Sequence, residues 1–378
     1  MAENLARVDR SAGPAPRFGA PEPSFWRGRS VFLTGHTGFK GSWLALWLDA
    51  LGAHVTGYAL APPTRPSLHE QAGVAQTLRS ITADIRDLPR LSAAVAGCRP
   101  DVVIHMAAQS VVRRGYAEPV ETYATNVLGT VHVLEAVRQL DRPCVVVNVT
   151  SDKCYAHRES TTGYREDDPM GGDDPYASSK GCAELVTWAY RRSFFPPEGF
   201  QRHGIALASA RAGNAIGGGD WTMDQLIPDL IRAFAAGRPC CIRNPHGVRP
   251  WQFVLEPLRG YLVLAERLAA DPEEFGAGWN FGPAAVDARP VSWIADRLAR
   301  DWEAGAAWQI DAGAHPAEAG TLRLDASRAA DRLGWQPSLS LEEALDWTVE
   351  WYRDWHHGAD LGELTRSQIE RYQQRLGA

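Results

Sequence analysis

Asp152 and Lys153 are adjacent, and they follow two hydroxyls, Thr150 and Ser151, at the end of the apolar run Val145-Val146-Val147-Asn148-Val149. Further on, Tyr176 and Lys180 stand four residues apart in DPYASSK. On a helix that spacing puts both side chains on one face. A phenol near its reference pKa of about 10 is a poor base at neutral pH. A neighbouring ammonium and a positively charged nicotinamide favour the phenolate, which then takes the proton of a secondary alcohol. Ser151 holds the alcohol oxygen while hydride goes to the nicotinamide. Tyr-x-x-x-Lys alone arises by chance, and Ser151 at a strand end 25 residues upstream gives it weight. Asp152 and Lys153 point to further chemistry. Once a ketone stands at C4 of a hexose, the C5 proton is acidic and the C6 hydroxyl leaves if it is protonated. Asp152 suits the acid, and Lys153 the base if burial or positive charge lowers its pKa. The plain alternative is an Asp–Lys ion pair capping a strand.

These groups need a frame. Ser30 to Thr34 (SVFLT) reads as a buried parallel strand. It runs into Gly35-His36-Thr37-Gly38-Phe39-Lys40-Gly41 and then a helix with Trp43, Leu44, Leu46, Trp47, Leu48 and Leu51 on a broad apolar face. Strand, GxxGxxG and helix together form a dinucleotide-binding unit. Gly35 permits the turn, Gly38 lets backbone approach a pyrophosphate, and Gly41 allows close packing. The helix N-terminus offers N–H groups and positive dipole to the phosphates. Gly35, Thr37, Gly38, Phe39, Lys40 and Gly41 are therefore cofactor candidates, with Tyr176 and Lys180 at the nicotinamide end.

A second strand, Ala53 to Tyr58, ends without the acid that NAD-dependent folds place on the ribose. Lys40 and Arg65 keep NADP open as a rival to NAD, against the alternative of solvated surface charge. Asp84-Ile85 follows a third strand, where a carboxylate would reach adenine. Asp101 to His105 leads into Met106-Ala107-Ala108-Gln109, small residues that let a strand end lie against the cofactor or pack closely on a helix. Gln109 is also a substrate candidate. Glu118 to Leu140 has helical spacing, with Asn126 near its middle; a buried Asn is costly unless hydrogen-bonded, so it ties a strand or a water to the site. Strand and helix alternate throughout. That predicts an α/β fold, a doubly wound, Rossmann-type parallel sheet with right-handed crossovers and ligands at the carboxyl ends of its strands.

From Arg211 onward glycine, proline and aromatic residues rise, in RAGNAIGGGDW and RNPHGVRPW. This reads as a smaller mixed C-terminal substrate domain. Asn214 is a pyrophosphate or sugar donor, and Arg243 and Arg249 are planar forks for phosphate, with surface charge as the alternative. The expected division is a flexible extension over 1–24 and a dinucleotide-binding domain over 25–210, rejoined by about 252–282. The substrate domain takes 211–251 and 283–378. A last helix is expected from Trp351.

A chain of 378 residues suits about two domains. Its 45% apolar and 22% charged residues are ordinary for a soluble protein, and a formal charge of −6 argues against nucleic acid. None of the six cysteines forms a CxxC pair, which leaves no zinc knuckle and fits reduced thiols of a cytoplasmic protein. No apolar run approaches the roughly 18 residues of a membrane span.

LTGHTGFKGSWL, MAAQSVVR, VTSDKCY, DPYASSKGCAELV, RAGNAIGGGDW and IRNPHGVRPWQFVLEPL together resemble the extended short-chain dehydrogenase/reductase superfamily. Within it the chain is similar to the CDP-glucose 4,6-dehydratase family, from Phe25 to about Tyr352. The resemblance implies tightly held NAD, a CDP-hexose substrate, and Lys153 as the C5 base; related dTDP-glucose dehydratases carry Asp-Glu at that pair and epimerases lack it. It also implies deoxysugar biosynthesis and a homodimer or dimer of dimers, paired through the 118–140 and 175–194 segments. Phe253 departs from the family, which usually has His there. On the residues alone, an epimerase or 4-reductase on the same scaffold stays open.

Overall fold

The computed structural model describes residues 19–158, 162–303, 305–313 and 322–377. Seven strands form the central sheet: β1 (Ser30–Thr34), β2 (His54–Ala59), β3 (Arg79–Thr82), β4 (Val102–His105), β5 (Cys144–Val149), β6 (Ile205–Ala212) and β7 (Gly278–Phe281). Their order is β3-β2-β1-β4-β5-β6-β7, and every pair is parallel. The order reverses between β1 and β4, which opens a crevice at the carboxyl ends of those strands.

Side chains alternate across each strand, so the two faces build two cores. Val31, Leu33, Val145 and Val147 pack with the helices Phe39–Ala50 and Leu255–Ala270. Phe32, Val103 and Val146 pack with Leu88–Cys98 and Gly129–Arg138. The Leu255–Ala270 helix leads back into the sheet through β7. Around the sheet's mouth lie three small pairs: Ala215–Ile216 with Gln252–Phe253, Cys240–Ile242 with Trp308–Ile310, and Val248–Pro250 with Ala288–Pro290.

Several local expectations shift. The helix expected over 118–140 is three pieces, Pro119–Tyr123, a π-helical turn Ala124–Leu128, and Gly129–Arg138. The last helix does not start at Trp351. That residue is fully buried inside Leu341–His356, its indole donating to Thr365 of a separate helix, Leu361–Gly377. Tyr372 of this final helix meets Trp47 edge to face, so the chain end packs on the first helix of the sheet. Of the expected extension, residues 1–18 lie outside the described residues. Residues 19–24 do not simply continue it, because Pro23–Trp26 is a helical turn. Trp26 is fully buried and its indole donates to Glu266 at 2.6 Å. Phe253 is core, edge to face with both Trp43 and Trp347.

Candidate active site

The glycine loop joins β1 to the Phe39–Ala50 helix. Gly35 has φ +79°, and a Cβ there would meet the Ala107 backbone at 2.8 Å; one at Gly41 would strike the Gly35 carbonyl at 2.1 Å. Both positions are glycine because the protein leaves no room. Gly38 is different. A Cβ there would find only the Gly35 carbonyl, at an ordinary 3.5 Å, so packing does not demand glycine. Gly38 is also the N-cap of that helix, and no side chain caps its first turn. An anionic group fits such a place, with free N–H groups and the dipole behind it. Thr37 fastens the loop by donating to the Leu60 carbonyl at 2.9 Å, just past β2. Phe39 is half-buried against the core. Lys40 turns inward, its ammonium donating to the Tyr261 hydroxyl at 2.9 Å. Burial, with Lys180 nearby, lowers its pKa to about 8.

Ser151, Asp152 and Lys153 stand directly beyond β5. The Ser151 hydroxyl donates to Asp152 Oδ1 at 3.0 Å and accepts from the Lys153 backbone N–H at 3.2 Å. Asp152 is 3% exposed, and its Oδ2 is buried with no hydrogen-bond partner. Burial raises its pKa against the pull of Lys153, Ser151 and Arg249. A carboxyl whose pKa is raised by burial holds its proton more tightly than one in water and can donate it to a neighbouring oxygen. Across from this turn, the Pro175–Ser193 helix brings in Tyr176 and Lys180, both buried. The Lys153 ammonium lies 5.9 Å from the centre of the Tyr176 ring.

The electrostatics of Tyr176 divide between protein and cofactor. The phenolate was expected from a nearby ammonium together with a positively charged nicotinamide; in the protein alone burial raises the Tyr176 pKa, with Ser151 pulling it down and Asp152 pushing it up again. Lys180 spends its ammonium on the Val149 carbonyl at 3.3 Å, and burial brings it down to about 8. Desolvation outweighs the charge that spacing alone suggested.

Asn126 ties neighbouring elements together. Its Oδ1 accepts from Gln109 N–H at 2.8 Å, and its Nδ2 donates to the Gln109 carbonyl at 2.9 Å and to Ser179 Oγ at 2.8 Å. Ser179 in turn donates to the Tyr176 carbonyl at 2.7 Å. The loop after β4 is thereby tied to the helix of Tyr176, from a π-helical turn of the kind common at functional sites. The Gln109 side chain, expected at cofactor and substrate, is instead turned into the protein. Its Oε1 accepts from Val111 N–H at 2.6 Å and its Nε2 donates to Thr122 at 2.9 Å.

Thr34, which the sequence marks only as a strand end, has a hydroxyl that accepts from the N–H groups of Met106 and Ala107 at 3.0 and 3.1 Å. That leaves its proton for His105 Nδ1, 2.7 Å away. The small Ala107 and Ala108 follow, both half-buried. Asp84, expected at adenine, has both carboxylate oxygens on Arg86, which holds its pKa down. The Ile85 side chain packs in the second core, leaving backbone as what this segment offers a ligand.

Asn214, Arg243, Arg249 and Lys153 line one cavity of about 260 Å³, with Trp251 and Val111. Arg249 is 8% exposed. Arg243 pairs with Asp224 at 3.3 Å, and Asp224 also holds Arg113 at 2.9 Å. Asp224 has φ +63°, which nothing in the sequence signals.

The family model for GDP-mannose 4,6 dehydratase matches residues 32–348. The CDP-glucose 4,6-dehydratase of Salmonella typhimurium strain LT2 is 51% identical over 351 residues, covering 93% of this chain and 98% of that protein. The chain belongs to this dehydratase family. The dTDP-glucose 4,6-dehydratase of Neisseria gonorrhoeae is 25% identical, over 86% of this chain and 96% of that protein. Among solved structures, the dTDP-glucose 4,6-dehydratase of Bacillus anthracis in complex with NAD superposes with a TM-score of 0.70 at 20% identity. It covers 86% of this chain and 96% of that one. The UDP-glucose 4-epimerase of Stenotrophomonas maltophila with bound NAD gives 0.74 at 19% identity, covering 88% and 100%. These likenesses carry the fold alone. Among the described residues no helix is long and apolar enough to cross a membrane.

Proposed function

We propose that the chain is a CDP-glucose 4,6-dehydratase that converts CDP-D-glucose to CDP-4-dehydro-6-deoxy-D-glucose and water, with NAD as its resident cofactor. The observation that carries the reading is the buried Asp152, one carboxyl oxygen without a partner, adjacent to Lys153, whose ammonium faces the Tyr176 ring. The 51% identity to the Salmonella enzyme supports the choice of CDP. The glycine loop, with a Gly38 that packing does not demand and an uncapped helix, suits the dinucleotide.

Ser151 Oγ holds the C4 oxygen, and Tyr176 takes the C4 hydroxyl proton. NAD, held by the glycine loop, would supply a positive ring that favours the Tyr176 phenolate and the hydride acceptor and donor that the reaction needs. With a ketone at C4, Lys153 removes the C5 proton. Asp152 gives its proton to the C6 hydroxyl, which leaves as water. Lys153 then returns a proton to C5 as C6 is reduced. Asn214, Arg243 and Arg249 hold the diphosphate in the cavity that Lys153 also lines.

Leu185 and Trp188 on the Pro175–Ser193 helix, each 55% exposed, and Val120 on Pro119–Tyr123, 81% exposed, support a symmetric homodimer through these segments. The test of function is turnover of CDP-, dTDP-, UDP- and GDP-hexoses by the enzyme as purified, with and without added NAD. Formation of the 4-keto-6-deoxy product from CDP-glucose supports the reading. A 4-epimer or a merely reduced sugar would replace it with an epimerase or reductase.

A further inference from the structure

Glu184 and Arg211 form a buried ion pair next to the site, Nη2 to Oε2 at 2.8 Å, with side chains 4% and 6% exposed. Glu184 lies one helical turn beyond Lys180, and Arg211 is on β6. The other carboxylate oxygen, Oε1, accepts from the Thr150 hydroxyl, directly before Ser151. Oε2 also accepts from Ser209 Oγ at 2.7 Å. Arg211 reaches the other flank of the same turn, its Nη1 donating to the Tyr155 hydroxyl at 2.7 Å. Tyr155 passes its own proton to Asn280 Oδ1 on β7 at 2.6 Å. The turn bearing Ser151, Asp152 and Lys153 is thus fastened on both sides to one ion pair, and that pair sits on the helix of Tyr176 and Lys180.

Stability alone is a weak reason for this arrangement. Desolvating two charges costs about as much as their attraction returns, and well-packed apolar residues of similar volume often serve folding equally well. Placement to within about 0.5 Å is what a reaction needs and what apolar packing supplies less strictly. We propose that Glu184 and Arg211 are positioning residues, clamping the Ser151–Asp152–Lys153 turn at both flanks and setting it against Tyr176 and Lys180. The roles given to the clamped residues rest on the dehydratase reading; the clamp itself is a claim about this chain's geometry.

Breaking the ion pair directly strands a buried charge and risks the fold. Thr150→Val and Tyr155→Phe are cleaner, since each removes one hydroxyl and leaves the pair intact. Melting temperature, kcat, KM and amide exchange over residues 150–155 are measured for both variants, for their combination, and for Thr150→Ser. Turnover is read on whichever nucleotide hexose the wild type oxidises. Failure of the wild type on CDP-glucose therefore overturns the dehydratase reading, whereas the variant-to-wild-type ratio bears on the clamp. The expected result is a fall in kcat of about tenfold to a hundredfold for Thr150→Val with KM nearly constant, as for a small misplacement of reacting groups. Exchange over 150–155 should quicken, and the melting temperature should fall modestly in Thr150→Val, which leaves Glu184 Oε1 buried without its hydroxyl partner, and recover in Thr150→Ser. Thr150→Ser should restore most of kcat. Wild-type kcat and exchange in the combined variant would overturn the clamp, as would losses that follow the melting temperature and are not rescued by serine.

Discussion

The Lys153 ammonium and the Tyr176 ring stand 5.9 Å apart, on two different elements, the turn after β5 and the Pro175–Ser193 helix. In the proposed reaction these two groups act on adjacent carbons, C5 and C4, of one hexose. Replacing Lys153 with Ala should therefore separate the steps: C4 oxidation persists, while loss of the C5 proton slows by about 10²–10⁴, the usual range for one general base. Solvent-deuterium exchange at C5 measures it. Unchanged exchange would assign the base elsewhere.

Asp152→Asn should give the complementary defect. C5 exchange continues, and departure of the C6 hydroxyl slows by about 10²–10⁴ because the amide has no acidic proton to give. In a single turnover the 4-keto hexose with its C6 hydroxyl intact should accumulate. An undiminished elimination rate removes Asp152 from the role of acid.

The alkaline side of the pH profile should come from Lys180. Its pKa lies at about 8, so the ammonium on the Val149 carbonyl, one helical turn from Tyr176, is present below that pH and is lost as pH rises through it. Asp152, with its pKa raised, keeps its proton to higher pH than an ordinary carboxyl. The expected kcat/KM, which reports the free enzyme, falls above about pH 8. Lys180→Arg should move that limb upward even as it lowers the plateau; an unmoved limb would point to another group.

Asn126→Leu removes three hydrogen bonds and leaves the Gln109 N–H and carbonyl buried without partners. Each such group costs about 1–3 kcal/mol. A lowered melting temperature together with weaker NAD retention is expected, measured by thermal denaturation and by cofactor titration. Loss of stability with unaltered NAD affinity would show that the loop after β4 does not depend on this tie.

The parallel sheet was legible because branched apolar runs such as Val145 to Val149 must be buried on both faces. β2 was displaced by a single residue from its expected span. Gly35 and Gly41 were legible for the same kind of reason, since steric demand is local. What sequence could not carry was the direction of polar side chains. That Asn126 needs a partner follows from its burial; that the partners are Gln109 and Ser179 depends on a π-helical turn that no periodicity announces. Gln109 was assigned to ligands, yet its amide closes its own loop onto Val111 and Thr122. Lys40 finds Tyr261, which is 221 residues away in the chain. For Tyr176 the charges were visible in the sequence and the burial, which raises its pKa in the protein alone, was not.

The central claim is that Asp152 and Lys153 turn an oxidation at C4 into a dehydration. CDP-glucose carrying deuterium at C4 tests it most directly, with the product's label position read by NMR and mass spectrometry. The account predicts a 4-keto-6-deoxy product with the deuterium moved to C6 and a solvent hydrogen at C5. Deuterium returned to C4, in a 4-epimer or in recovered glucose without loss of water, would contradict it.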